Sequence, residues 1–146
     1  MLTIYPACFF KEENDHFSVI FPDLNYLATC GSTLEEAMAM AIDCLAGYIH
    51  WLKQDGDPIP TPSVLNEIDI TTITNEIYSD SPYKEVFVNL VSVDVEEYAK
   101  KHFKKSVRKT LTIPAWLNAT ALEQGINFSQ TLQEALLAKI KAHYFQ

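Results

Sequence analysis

The sequence predicts an α+β protein in two parts: a β-β-β-α-β-α domain over residues 1–103 and a β-α-α segment over residues 104–146. Short β-prone runs open the chain and are followed by one long amphipathic pattern. In the last 43 residues a strand pattern is followed by two helical patterns. The charge also changes sign near residue 100: residues 1–99 hold 17 Asp and Glu against 3 Lys and Arg, whereas residues 100–146 hold 2 against 8.

Three short strands are predicted at the start of the chain. Residues 2–10 and 17–21 are rich in aromatic and β-branched residues, and a polar connection separates them, which predicts a hairpin. Pro22 and Asp23 end the second strand, and residues 26–30 can form a third before Gly31. The simplest arrangement is a three-stranded meander.

A long helix is predicted to begin at Ser32 and Thr33. Glu35 follows Ser32 by three residues, which is the capping-box spacing. Apolar residues then recur at steps of three and four from residue 34 to residue 52, until Asp55 and Gly56 interrupt the pattern. We expect this apolar face to cover one side of the sheet.

The remainder of the first part is less regular. Three prolines stiffen residues 58–62, and the polar stretch 64–83 has no clear pattern, so a further strand remains open there. Residues 86–93 form a β-branched run, which predicts a strand. Asp94, with Glu97 three residues later, predicts the N-cap of a short helix through residue 103. Together these elements predict a mixed sheet with helices packed on it.

Composition excludes several classes of protein. Of the 146 residues 48% are apolar, which is enough for a core, but no apolar run approaches the roughly 18 residues of a membrane span. No basic region and cleavage site mark a signal peptide at the N-terminus, so the default expectation is the cytoplasm. The three cysteines and four histidines are scattered, which predicts small core cysteines, no metal site and no cofactor.

The basic tail, residues 104–146, contains residues that mark the ends of a strand and of two helices. Residues 107–113 alternate, with one largely apolar face and one polar, cationic face that carries Arg108, Thr110 and Thr112. Pro114 suits the first position of a helix, and Gly125 suits a left-handed helix end. A second helix follows the predicted N-cap Asn127.

A strand and two short helices of about 40 residues cannot bury their own apolar faces, so the tail is expected to dimerise. Antiparallel pairing of two copies would make a ribbon that fits the major groove of B-DNA, with Arg108, Thr110 and Thr112 facing the bases. The start of the second helix offers backbone amides to a phosphate. The phosphate-contact candidates are Lys104, Lys105, Asn127, Phe128 and Ser129. The alternative is that Arg108, Thr110 and Thr112 only form the solvent-exposed face of a strand and bind nothing.

Both parts resemble known families. The tail resembles a ribbon-helix-helix DNA-binding domain, and residues 1–103 resemble the HicB antitoxin domain. The second likeness rests on YPACFF, HFSVIFPDL, the helix start GSTLEEAM and the connection DGDPIPTPS. It implies a partial ribonuclease-H-like fold without activity, which binds a HicA-type toxin that cleaves RNA. The tail would form a homodimer on operator double-stranded DNA and repress the operon, with a dimer of dimers left open.

The chain departs from the family pattern at two positions. After the motif Pro-Asp-Leu the family commonly has Pro-Gly-Cys, whereas this chain has Asn-Tyr-Leu. The candidate toxin contacts lie here, at Asp23, Leu24, Asn25 and Tyr26. At the start of the second tail helix Phe128 stands where related tails often carry Arg, which leaves the phosphate contacts to backbone amides and to Lys104 and Lys105.

The sequence also bears on two other functions. A metal-dependent nuclease needs carboxylates clustered on strands, and residues 2–10 and 17–21 contain none, so no enzymatic activity is predicted. A stand-alone ribbon-helix-helix transcriptional regulator, with a ligand-sensing or oligomerising first domain, remains open. A small basic protein encoded next to this gene would favour the antitoxin.

Overall fold

The structure, a computed structural model, describes residues 1–77, 82–103 and 106–144, and it divides into two units, Met1–Lys105 and Ser106–Gln146. The described residues of unit 1 form four strands and three helices: β1 Thr3–Glu12, β2 Phe17–Phe21, β3 Leu27–Gly31, α1 Leu34–Asp55, α2 Ile70–Ile77, β4 Tyr83–Val93 and α3 Val95–His102. Short 3-10 turns occupy Pro22–Leu24 and Leu65–Glu67. Unit 2 contains α4 Ala115–Glu123 and α5 Phe128–Tyr144.

The four strands form one sheet in the order β3-β2-β1-β4. The predicted meander of the first three strands is confirmed, and Phe9 of β1 lies between Val19 of β2 and Phe87 of β4. The prediction of a mixed sheet was wrong, because β4 also runs antiparallel to β1. The direction of β4 depends on how the chain returns after α1, and no local pattern carries that information.

Helix α1 covers the inner face of the sheet. Its buried residues Ala37, Ala41, Leu45 and Ile49 recur at the spacing of one helix face and pack with Tyr5, Ala7, Phe9, Val19, Phe21 and Val91 of the strands. The predicted capping box lies one residue later than expected. Thr33 is the N-cap, its Oγ1 accepts from the amide of Glu36 at 3.1 Å, and the Glu36 carboxylate accepts from the amide of Ser32 at 2.8 Å.

The outer face of the sheet is covered by α2, which the sequence did not predict. Ile73 of α2 is buried against Cys8, Phe10 and Ile20. The further strand left open for residues 64–83 is not formed among the described residues; the helix begins after Asp69, whose carboxylate accepts from the amides of Thr71 and Thr72. The stretch is polar because only one side of this short helix is buried.

Other local predictions for unit 1 had mixed outcomes. Asp94 caps α3 as expected, since its Oδ1 accepts from the amide of Glu97 at 3.1 Å. The cysteines were predicted to be core residues, and Cys8 is, with burial raising the pKa of its thiol to about 11. Cys30 is instead exposed, because it lies on the edge strand β3.

In unit 2 the two helices form as predicted, and the strand of residues 107–113, which needs the strand of a second copy, stays a prediction. Residues 106–114 have no regular secondary structure in the single chain. A strand exists only through hydrogen bonds to a neighbour, and the described part of one tail offers none. Pro114 precedes the first helical residue instead of being that residue. Gly125 has the expected left-handed φ of 67°, and Asn127 Oδ1 accepts from the amide of Gln130 at 3.1 Å.

Candidate functional site

Unit 2 contains an open groove between the segment 106–114 and the two helices. Its volume is about 1060 Å³, and most of its wall is apolar. The apolar lining comes from Val107, Leu111, Ile113, Leu117, Ala121, Ile126, Phe128, Leu132, Ala135 and Leu136. The groove is thus lined by side chains of the kind that usually form a protein core, but it is open to solvent.

The apolar side chains of unit 2 are mostly accessible to solvent. Val107 is 79% exposed and Trp116 is 69% exposed, and Ala121 is the one residue of the described tail that counts as buried. Monomeric proteins rarely expose a continuous apolar surface of this kind, and a large exposed apolar surface usually marks a site where another molecule binds. The apolar side chains of unit 2 are therefore largely uncovered in the single chain.

The predicted base-facing residues lie on the segment that borders the groove. Leu111 and Ile113 line the groove, whereas Thr110 and Thr112 are exposed and are not part of the lining, as alternation requires. Arg108 departs from this pattern, because it lines the groove together with its neighbour Lys109. The structure thus leaves the two threonines outside the groove and places Arg108 in its lining.

Three of the phosphate-contact candidates, Asn127, Phe128 and Ser129, lie at the start of α5, where the first backbone amides have no intrahelical carbonyl to bond to. The side chain of Asn127 is occupied as the helix cap. Phe128 lines the groove, and the Ser129 hydroxyl accepts from Gln133 Nε2 at 3.2 Å. Lys104 and Lys105 lie outside the described residues.

The toxin-contact candidates form a loop with two left-handed residues. Asn25 has a φ of 57° and Tyr26 a φ of 58°, a conformation that L residues seldom adopt. Leu24 is only 1% exposed, so its side chain belongs to the core and not to a contact surface. Tyr26 is 42% exposed, and the negative charge of Glu76 raises the pKa of its phenol. The loop therefore presents Asn25 and Tyr26 outwards.

Asp23 holds this loop to the connection that follows α1. Its carboxylate accepts from the amide of Ser63 at 2.8 Å and from the Ser63 hydroxyl at 2.7 Å. Ser63 and Glu76 were missed by the sequence analysis because Ser63 is 40 positions away from Asp23, and Glu76 is still farther along the chain from Tyr26. The Asp23 carboxylate is therefore engaged within the chain, which makes it a positioning group for Asn25 and Tyr26.

Two features are absent from the described ranges. No helix there is both long and apolar enough to cross a membrane. No three or more His, Cys, Asp and Glu side chains within those ranges gather as the ligands of a metal ion.

Comparison with known proteins gives consistent results. The family model for a HicB-like antitoxin of a bacterial toxin-antitoxin system matches residues 5–141. A chain of a solved toxin-antitoxin complex from Streptococcus pneumoniae is 36% identical, with a TM-score of 0.63, and the match covers 95% of this chain and 99% of that one. An uncharacterized 14.9 kDa protein of Haemophilus phage HP1 is 29% identical over 78% of this chain and 75% of its own length.

A named antitoxin matches a shorter region. Antitoxin HicB 2 of Photorhabdus laumondii is 41% identical over 63 residues, which are 43% of this chain and 45% of that protein. This chain therefore matches less than half the length of that relative. The family model and the Streptococcus structure, in contrast, extend through both units. The chain belongs to the HicB-like antitoxin family of bacterial toxin-antitoxin systems.

Proposed function

We propose that this protein is an antitoxin that binds and neutralises a HicA-type ribonuclease toxin and represses its own operon by binding operator DNA. The observation that carries the proposal is the 36% identity, over 95% of the chain, to a chain of a toxin-antitoxin complex. Membership of an antitoxin family supports a regulatory role over a catalytic one. We further propose that unit 1 is a partial ribonuclease-H-like fold without activity and that the protein acts in the cytoplasm.

Unit 1 is proposed to bind the toxin. Residues 1–99 carry 17 acidic against 3 basic residues, and such a surface attracts a basic protein while it repels RNA. Tyr26 supplies an exposed aromatic side chain in a loop whose shape is fixed by the bonds between Asp23 and Ser63. A partly exposed tyrosine on a fixed loop is the type of residue that dominates protein interfaces. The toxin's RNA-cleaving face would be covered by this surface.

Unit 2 is proposed to dimerise and to bind DNA. A second copy would fill the groove and would give residues 107–113 the strand partner that one chain lacks. The paired strands would carry two copies each of Arg108, Thr110 and Thr112 into the major groove. The start of α5 and the lysines Lys104 and Lys105 would contact phosphates. The exposed apolar lining of the groove supports this arrangement.

The toxin-binding proposal is tested by co-expression with the small reading frame beside this gene. We expect that frame alone to arrest growth, and we expect the full-length chain to restore growth and to co-purify with its product. Tyr26→Ala should weaken the complex by about 2 kcal/mol, the size of an interface hot spot. Trp51→Ala, which removes another exposed aromatic residue from unit 1, is the matched control and should have little effect.

The opposite outcome would favour the other candidate function. If the neighbouring frame is not toxic and forms no complex, the antitoxin role is wrong. A ribbon-helix-helix regulator with a ligand-sensing or oligomerising first domain would then be the better description.

A further inference from the structure

The sheet ends at β3, and the outer edge of this strand is open. No strand of the described ranges lies beyond it. The opposite edge shows how the backbone groups of the sheet are directed. The Leu90 amide donates to the neighbouring Asn89 Oδ1 at 2.9 Å, so it points away from β1. Backbone directions alternate along a strand, and the even-numbered residues of β4 therefore face away from β1.

The pairing register carries this alternation across the sheet to β3. Even-numbered residues of β1 up to Phe10 lie opposite even-numbered residues of β2 and β4, and the same holds between β2 and β3. Two facing residues of an antiparallel pair either bond to each other or both point away. Even-numbered residues thus join β1 to β2, and odd-numbered residues join β2 to β3. The amides and carbonyls of Ala28 and Cys30 consequently point to the open edge.

The side chains of β3 leave this edge accessible. Natural edge strands are protected by charges, proline or a bulge, or by being short. The five residues of β3, Leu27–Gly31, include no charge and no proline, and their register with β2 has no irregularity. Ala28 and Cys30 have small side chains and are exposed. Only the short length of β3 protects the edge, so a short segment of another chain can pair with it.

Acidic residues lie at both ends of β3. Residues 12–52, which include β2, β3 and most of α1, contain seven Asp and Glu and no Lys or Arg. The Glu36 carboxylate accepts from the amide of Ser32, the residue that follows β3, at 2.8 Å. Glu76 lies near the other end, since its charge raises the pKa of the phenol of Tyr26, the residue that precedes β3. The open edge therefore suits a basic segment.

The other candidates for this edge fit less well. A second copy of unit 1 would bring its own acidic residues to the same place, and like charges repel each other. The cationic segment 107–113 of another copy is assigned by the proposed function to pairing with its own kind. The β4 edge lacks the charge contrast, because residues 83–103 hold four acidic and three basic residues. A small basic toxin is the occupant with matching charge.

We propose that β3 receives an extended, basic segment of the toxin as an additional strand of the sheet. The backbone of this segment would bond to the outward amides and carbonyls of Ala28 and Cys30. Its Lys or Arg side chains would lie near Glu36 at one end and near Glu76 at the other. Backbone hydrogen bonds then supply affinity, and the two carboxylates select a basic segment.

This inference rests on the proposed function and deepens it, because it names the element of unit 1 that binds the toxin and the form in which the toxin binds. Tyr26 lies next to β3 in the chain and would pack against the added segment. Its exposed ring and the open edge would thus form one continuous contact surface. The bonds between Asp23 and Ser63 hold the loop that leads into this edge.

Hydrogen exchange of the backbone amides tests the proposal. The full-length chain is measured alone and in complex with the product of the neighbouring small reading frame. The amides of Ala28 and Cys30 should exchange rapidly in the free chain and slow by about a hundredfold in the complex, because they become hydrogen-bonded. The amide of Ser92 points outwards from β4 and is the internal control. Its exchange should be the same in both samples.

A proline variant tests the backbone contact separately from the side chain. Ala28→Pro removes one outward N–H and leaves the bonds between β2 and β3 in place, so toxin affinity should fall by about tenfold. Ala28→Ser changes the side chain but keeps the N–H, and it should bind as the parent does. Ser92→Pro removes an outward N–H at the opposite edge and should also retain affinity. Circular dichroism checks that each variant is folded.

The outcomes separate this inference from the proposed function. If the complex forms but the Ala28 and Cys30 amides exchange as in the free chain, strand addition at β3 is wrong. Equal toxin affinities for folded Ala28→Pro and Ala28→Ser would overturn it as well. Exchange that slows in the free chain as its concentration rises would show that another copy, and not the toxin, occupies the edge. If the neighbouring product forms no complex with the parent, the proposed function itself fails.

Discussion

The close approach of α1 to the end of β3 at Gly31 leads to a sharp prediction about stability. A Cβ added at Gly31 would lie 2.4 Å from the Ala37 nitrogen, 2.7 Å from the Ala37 Cα and 2.8 Å from the Glu36 carbonyl carbon. All three are backbone atoms of the first turn of α1, so no side chain can rotate out of the way. Gly31→Ala would therefore force α1 away from the sheet by about 1 Å, against the buried residues that hold it there.

The expected size of the effect follows from two opposing terms. Overpacking of a rigid site costs roughly 1 to 3 kcal/mol, and the backbone contacts place Gly31→Ala at the upper end. Replacing glycine by alanine restricts the unfolded chain, which returns roughly 0.4 to 1 kcal/mol. The free energy of unfolding should thus fall by about 2 kcal/mol. For a unit of this size the melting temperature should decrease by about 8 to 16 °C.

Gly47→Ala is a control with the opposite sign. Gly47 lies within α1, and the nearest atom to an added Cβ is Phe103 Cζ at 3.7 Å, an ordinary contact. Alanine is preferred over glycine in a helix interior by about 1 kcal/mol, so this variant should be more stable than the parent. The same chemical change is therefore expected to destabilise unit 1 at one glycine and to stabilise it at the other.

The assay is urea unfolding followed by the fluorescence of Trp51, with Trp116→Phe as background so that only unit 1 reports. All variants are compared at one protein concentration, since pairing of copies makes the midpoint depend on concentration. A Gly31→Ala chain within 0.5 kcal/mol of its parent would refute the reasoning. Destabilisation of similar size at Gly47 would do so as well, because the loss could then not be assigned to the clash.

Three further predictions concern the tail and the helix starts. Arg108→Ala should weaken operator binding by roughly 1 to 3 kcal/mol per half-site, whereas Lys104→Ala should mainly reduce the dependence of affinity on salt. Gel-shift titrations at several salt concentrations measure both effects. Unchanged operator affinity for Arg108→Ala would contradict a contact between Arg108 and a base. Thr33→Ala should lower the stability of unit 1 by about 1 kcal/mol in urea, and Thr33→Ser should restore most of it, because the hydroxyl caps α1. The hydrogen bond from Thr72 holds the pKa of Asp69 below its usual 3.8. The stabilisation of α2 by this carboxylate should therefore be present above about pH 4 and be lost as the pH falls through the lower pKa of the folded state. Protection of the α2 amides from hydrogen exchange should show this loss in the parent but not in Asp69→Asn.

Most elements of the fold could be predicted because their signals are local. The strand patterns of residues 2–10 and 17–21, the apolar periodicity of α1 and the caps at Asp94 and Asn127 each depend on residues within a few positions of one another. Errors at this level were small, such as the shift of the capping residue from Ser32 to Thr33. Helix α2 was missed because it is short and buries one residue, Ile73, which leaves too little periodicity to detect.

The candidate sites divide in the same way. The alternation of residues 107–113 is visible in the sequence, and it separates Leu111 and Ile113 from Thr110 and Thr112 in the structure as well. The strand itself could not be tested in one chain, because its hydrogen bonds would come from a second copy. The hydrogen bond between Asp23 and Ser63 spans 40 positions, and the residues next to Asp23 in the sequence do not predict it.

The sequence by itself determined the two-part organisation, the opposite charges of the parts and the identities of most helices and strands, since these follow from composition and short-range periodicity. Only the tertiary structure decided that β4 runs antiparallel at the edge of the sheet, that Leu24 is buried while Tyr26 is exposed, and that Gly31 lies against the backbone of α1. These features depend on which distant segments meet and in which register. Contacts between distant segments are selected by the packing of the whole unit, so no window of the sequence contains them.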